Sequence, residues 1–187
     1  MKQYALIAVC FMFLPSCAES LKEQRKDAFF TLTGDIFQIV IPLSAAGYSL
    51  ALWDMDGLKS DCYSFGATML VTYTLKYAVG RPRPYQSPGE HGHSFPSGHT
   101  AAAFSGASYL QRRYGWHVGG AAYAMAAAAG YSRVWSQNHY WTDVLAGAAI
   151  ATASSYIFTK PYDGKKAALQ VLAGLDGNGG AFIVVQL

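Results

Sequence analysis

The chain has 187 residues, enough for one domain with a substantial core. Its net charge of +3 comes from basic residues in short separate groups, not along one stripe, which argues against nucleic acid as a partner. Hydrophobic residues make up 52% and charged residues only 13%, yet mean hydropathy is +0.14, low for a chain built mainly of bilayer-spanning helices.

The N-terminus opens with Met1-Lys2, followed by an apolar run from Ala5 to Leu14 and then Pro-Ser-Cys-Ala. A positive start, a short apolar stretch and small residues predict a secretory signal peptide over 1–18, cleaved after Ala18. Leu14-Pro-Ser-Cys17 also resembles a bacterial lipobox, in which case the signal would end before Cys17 and that residue would carry a lipid. With Cys10 inside the signal and Cys17 removed or lipidated, Cys62 has no partner and no disulfide framework is expected.

Ala18 to Asp27 is polar and reads as a surface segment or a short helix. Ile36 to Trp53 is a nearly uncharged stretch, suited to a core helix or to a bilayer span. Asp54-Met-Asp-Gly57 reads as a turn, and Ser60 to Tyr77 as a helix. Gly80 to Pro96 contains four prolines and is the one long loop.

Three helices follow, from about Ser97 or Thr100 to Arg113, from about His117 to Arg133, and from about Trp141 to Thr159. The tail, 167–187, has Ala167 to Leu172, then Asp176-Gly-Asn-Gly-Gly180, then a Val- and Ile-rich run from Ala181 to Leu187, and predicts a β-hairpin. The fold expected is therefore an all-α bundle of about five to six helices over 19–166, with a small C-terminal hairpin. An up-and-down path starting outside would put Arg112, Arg113 and Lys160 on the cytoplasmic side. The low hydropathy and the hairpin nevertheless favour a compact exported domain over a spanning bundle.

Polar residues cluster at three places in this apolar chain. The first holds Lys76, Arg81, Arg83 and Pro84, where Arg forks match phosphate oxygens and Lys adds a point charge. The second, Pro96-Ser97-Gly98-His99, lies at a loop-to-helix junction, where free N–H groups favour an anion and His99 could donate a proton. The third holds Ser132, Arg133, His139 and Asp143. On a helix, His139 and Asp143 form an i,i+4 pair in which the carboxylate can fix one ring nitrogen and leave the other nucleophilic. Taken singly, each cluster also fits a solvated basic loop, an ordinary capping turn or a surface ion pair.

In order and spacing, however, Lys76-x6-Arg83-Pro84, Pro96-Ser97-Gly98-His99 and Ser132-Arg133-x5-His139-x3-Asp143 resemble the three motifs of the type 2 phosphatidic acid phosphatase and vanadium haloperoxidase superfamily. The resemblance covers 76–143 and implies a metal-independent phosphatase with no cofactor, in which vanadate would bind as a phosphate analogue. It implies His139 as nucleophile through a phosphohistidine, His99 as acid and then base, and Asp143 as the residue orienting His139. Lys76, Arg83, Ser97, Gly98 and Arg133 would bind phosphate oxygens. Arg81 lies outside the motifs and is expected at the substrate rim.

The substrates implied are phosphorylated lipids of the phosphatidate, phosphatidylglycerophosphate, undecaprenyl pyrophosphate or lipid A type, in the bacterial envelope. The alternative is a non-specific periplasmic acid phosphatase for small phosphomonoesters. A haloperoxidase or a silent envelope protein fits less well, the first because family haloperoxidases look far longer.

Overall fold

The computed structural model describes residues 2–86 and 92–163, with side chains from Asp27 onward. Five helices make up the described part: α1 (Lys2–Ala51), α2 (Met55–Val79), α3 (Gly98–Tyr114), α4 (Trp116–Trp135) and α5 (Trp141–Phe158). The expected hairpin over 167–187 lies outside the described residues, as do the side chains of the expected signal segment and Cys17. In the uncut chain that segment, the polar stretch after it and most of the Ile36–Trp53 stretch form one continuous helix, α1.

Local chemistry explains the ends. The Asp54 side chain accepts the Gly57 N–H at 2.9 Å, so the four residues read as a turn are the N-cap and first turn of α2. That helix therefore starts five residues earlier than Ser60. At its other end Gly80 adopts a left-handed conformation (φ 58°), which glycine takes without steric cost. Ser97 caps α3, and Gly115 separates α3 from α4 at φ 91°.

Helix α3 is the central element, buried on almost every face and packed against all four others. What surrounds it is small: Ala101, Ala103, Ala107, Ala122, Ala126 and Ala129 are all buried, with Ile41 and Ala45 of α1. Hydroxyls join the helices. Ser64 meets Ser155 at 2.9 Å between α2 and α5, and Ser108 bonds Tyr123 and Thr152 at 2.9 and 3.1 Å. The large apolar residues lie outside, including Leu32, Ile36, Val40 and Leu43 on α1, Leu70 and Val71 on α2, and Leu145 and Ile157 on α5. This is the reverse of the usual soluble arrangement.

The three motifs meet at one end, formed by the C-terminal ends of α2 and α4 and the N-terminal ends of α3 and α5. At the opposite end Arg113 bonds Asp54 through two nitrogens at 2.6 and 2.7 Å, and also the Lys160 carbonyl. Burial opposes the charge on Asp54, but the bonds from Arg113, the Gly57 N–H and Tyr114 outweigh it and hold the carboxyl below its ordinary range. Arg112, Arg113 and Lys160 thus gather away from the motifs, as the up-and-down path predicts.

Helix α1 is seated on α3 where a side chain is missing. A Cβ on Gly106 would lie 2.8 Å from the Cα and N of Pro42, closer than packing allows. Gly106→Leu is expected to destabilise the fold by about 1–3 kcal/mol, although leucine is the better helix former. A lowered thermal unfolding midpoint checks this, and an unchanged midpoint would mean that α1 does not rest on α3 at this point.

Candidate active site

A cavity of about 670 Å³ opens at the motif end. Lys76, Arg83, Gly98, His99, Arg133 and His139 all line it, so the structure brings six of the sequence-predicted residues to one cavity. Ile39, Phe65, Met69 and Tyr73, from α1 and α2, add an apolar part to the same lining.

Each polar residue is held from behind. The Lys76 ammonium donates to the His93 and Pro96 carbonyls at 2.7 and 2.9 Å, bending the connector over the end of α2. Arg83 reaches Asn138 Oδ1 at 3.3 Å, which links the connector to the α4–α5 turn. Gly98 and His99 occupy the first turn of α3, whose amide dipoles point toward the cavity end.

His139, almost fully buried, places Nδ1 at 2.7 Å from the Ser94 carbonyl. A carbonyl only accepts, so Nδ1 carries the proton and Nε2 keeps its lone pair. Burial, reinforced by Lys76 and Arg83 nearby, pulls the His139 pKa down to about 4, so the ring is neutral at ordinary pH.

The expected hydrogen bond from His139 to Asp143 is not made. Nδ1 lies 3.7 Å from Asp143 Oδ2, beyond hydrogen-bond range, and the link runs through Ser94. The Ser94 hydroxyl donates to Asp143 Oδ2 while its carbonyl accepts from His139. Asp143 has other partners: Oδ2 also accepts the Tyr140 N–H at 2.9 Å, closing the start of α5, and Oδ1 accepts from Arg81 at 2.8 Å.

Arg81 is therefore not at the rim. It turns inward to Asp143 and Thr142, and lies 4.0 Å from the centre of the Tyr140 ring. Ser97 departs from expectation too. It is fully buried, its hydroxyl caps α3 by accepting from Thr100, and it does not line the cavity.

Two residues outside the motifs complete the site. Ser94, just described, carries no local sign of its role. Asp35 of α1 lines the cavity and accepts on Oδ1 from both Arg133 Nη1 at 2.9 Å and His99 Nε2 at 3.0 Å. The only advance signal for Asp35 was a lone carboxylate near the start of an uncharged run.

The model of the PAP2 superfamily matches residues 58–166. The chain is 31% identical over 144 residues to a lipid A 4'-phosphatase of Helicobacter pylori, covering 71% of each protein. It is 42% identical over 79 residues to a lipid A 1-phosphatase of Porphyromonas gingivalis, a match covering 40% of the chain and 17% of that longer relative. The crystal structure of Aquifex aeolicus LpxE superposes with a TM-score of 0.61 at 25% identity, over 70% of this chain and 83% of that one. With all three motifs inside the matched region and meeting on one cavity, this chain belongs to the PAP2 superfamily.

Proposed function

We propose that the protein is a membrane-embedded phosphatase that removes phosphate from a lipid, with lipid A the favoured substrate class, through a phosphohistidine on His139. The observation that carries the reading is the cavity itself, whose lining joins Lys76, Arg83, Arg133, His99 and His139 to Ile39, Phe65, Met69 and Tyr73. Ile39 of α1 and Tyr73 of α2 line the cavity and are both exposed, so the apolar part of the lining is accessible from outside. An acyl chain can lie there while its phosphate reaches Lys76 and Arg83. The lipid A phosphatases among the relatives support the choice of lipid.

The exterior supports the membrane. Residues 27–51 of α1 are long and apolar enough to cross a bilayer. All four tryptophans are exposed at helix ends: Trp53 and Trp116 at the Arg113 end, Trp135 and Trp141 at the motif end. Between these two belts α3 runs for 17 residues, about 25 Å, close to a hydrocarbon core. The phosphate site then sits at the interface, where a lipid headgroup lies. On this reading the motif end faces outward and the Arg112–Arg113–Lys160 end faces the cytoplasm.

In the reaction, His139 Nε2 attacks phosphorus while His99 protonates the departing oxygen. Water activated by His99 then releases phosphate. Lys76, Arg83, Arg133 and the Gly98 N–H stabilise the equatorial oxygens, and no metal enters. Ser94 keeps the His139 proton on Nδ1, and the Asp143 charge at 3.7 Å stabilises the ring as it becomes positive.

The test is phosphate release by the detergent-solubilised protein without added divalent metal, from lipid A, phosphatidate, phosphatidylglycerophosphate, undecaprenyl pyrophosphate and p-nitrophenyl phosphate. Lipid A is expected to be hydrolysed fastest, and His139→Ala to lose at least about 1000-fold while keeping its thermal transition. Absence of release from every substrate, or substantial turnover by His139→Ala, would overturn the reading.

The protonation of the nucleophile makes a second expectation. Cations disfavour the imidazolium, so removing one raises the His139 pKa. A histidine-selective NMR titration of the free protein should find His139 titrating near 4, and Lys76→Met should move it upward. An ordinary value in the wild type, or a downward shift in the variant, would contradict the electrostatics described.

A further inference from the structure

Asp35 belongs to none of the three motifs and to an element outside the family match. Between Asp27 and Ala51 the only charged residues are Asp27 and Asp35, so a carboxylate sits in an otherwise uncharged run. A charge there needs a partner or a task. Gly34 makes its position possible: a Cβ on Gly34 would lie 2.0 Å from Ser132 Oγ and 2.4 Å from Arg133 Nη2. Helix α1 thus lies directly against the end of α4, and the next residue reaches His99.

A carboxylate only accepts, so the 3.0 Å contact fixes a proton on His99 Nε2. A ring has two nitrogens, and Nδ1 alone remains to exchange a proton with substrate. The charged groups around His99 are Arg133 from α4, Lys76 from α2 and Arg83 from the connector, with His139 in the same lining. These cations oppose a positive charge on His99. Asp143 of α5 is bound to Arg81, Ser94 and Tyr140, so Asp35 is the only carboxylate bonded to this ring among the described residues.

We infer that Asp35 is a positioning residue of the reaction, holding His99 by Nε2–H and stabilising its imidazolium so that Nδ1 is the working acid and base. This rests on the phosphatase reading above. In the first step the His139 Nε2–P bond forms and the P–O bond breaks. The Nδ1 proton passes to the leaving alkoxide, and His99 is left neutral with its proton on Nε2. In the second step Nδ1 takes a proton from water as the water oxygen bonds to phosphorus, the P–N bond breaks, and the imidazolium is restored. Asp35 accepts from Nε2 in both steps and exchanges no proton itself.

Asp35→Asn keeps the shape and removes the charge, and Arg133 stays anchored by the Thr31 carbonyl and Ser132. First-turnover rates would be measured against pH with two substrates, an alkyl phosphate and p-nitrophenyl phosphate, whose leaving group departs without a proton. With the alkyl phosphate a loss of about 30-fold or more is expected at neutral pH, with KM changed little. The basic limb should move to lower pH, because an imidazolium without its carboxylate loses its proton more readily. With p-nitrophenyl phosphate the loss should be under about 3-fold. Asp35→Glu should recover part of the alkyl rate.

Equal losses on both substrates with an unmoved pH limb would overturn the inference and leave Asp35 as an anchor for Arg133. A faster variant would overturn it as well, making Asp35 an internal plug that substrate must displace. An inactive wild type would sink the phosphatase reading, whereas an active wild type with an unmoved Asp35→Asn profile sinks only this inference. Histidine-selective NMR gives a check without turnover: the His99 Nε2–H tautomer should dominate in the wild type and lose that dominance in Asp35→Asn.

Discussion

The Asp143 carboxylate is the point on which the arrangement of the site depends. It is fully buried, and a buried charge is tolerable only when its oxygens are satisfied. The partners that satisfy it come from two pieces of the site. Arg81 and Ser94 come from the connector after α2, and the Tyr140 N–H from the turn that begins α5. The Asp143 carbonyl accepts the Ser97 N–H at 3.0 Å, which fixes the entry to α3. The whole α2–α3 connector, from Arg81 to Ser97, is thus tied to one residue at the start of α5, and the ring of His139 hangs from that connector at Ser94. The residue seen as an orienting partner is mainly a hub, and its link to His139 runs through Ser94.

The same economy of space holds in the bundle. Alanine, glycine, serine and threonine between the helices allow close approach, while hydroxyl pairs such as Ser64–Ser155 and Ser108–Thr152 join them. Many of the leucines, isoleucines and aromatics are turned outward, with Ile41, Tyr109, Leu110 and Tyr114 kept in the core. Mean hydropathy is low because the interior contributes so many small and hydroxyl-bearing residues. An average over composition cannot distinguish a polar interior from a polar surface.

What was legible in the sequence was local. The starts and ends of α3, α4 and α5 came out within about two residues, because Gly115 and Pro161 mark them plainly. The start of α2 was missed because Asp54-x-x-Gly57 serves equally as a turn or as an N-cap. The six predicted residues lining the cavity were legible because each belongs to a motif with fixed internal spacing. Arg81 and Ser97 show the limit. Sequence reveals their charge and hydroxyl but not their direction, and both are spent on structure rather than on the cavity. Ser94 and Asp35 are joined to their histidines across 45 and 64 residues, and no short pattern records such a pairing.

Helix α1 shows why the boundary of a motif set is not the boundary of a site. Asp35, Gln38 and Ile39 stand at i, i+3 and i+4, so they share one face of α1, and all three line the cavity. That face is charged where it meets His99 and Arg133, and apolar one turn further along. A substrate resting its hydrocarbon on Ile39 therefore presses on the same rigid rod that holds His99. Because Gly34 brings α1 directly against Ser132 and Arg133, a shift of the helix cannot be absorbed locally and must reach both residues. On the proposed reading, recognition of a lipid and orientation of His99 would be coupled through one helix face, and a ligand that leaves Ile39 uncovered would forgo that coupling.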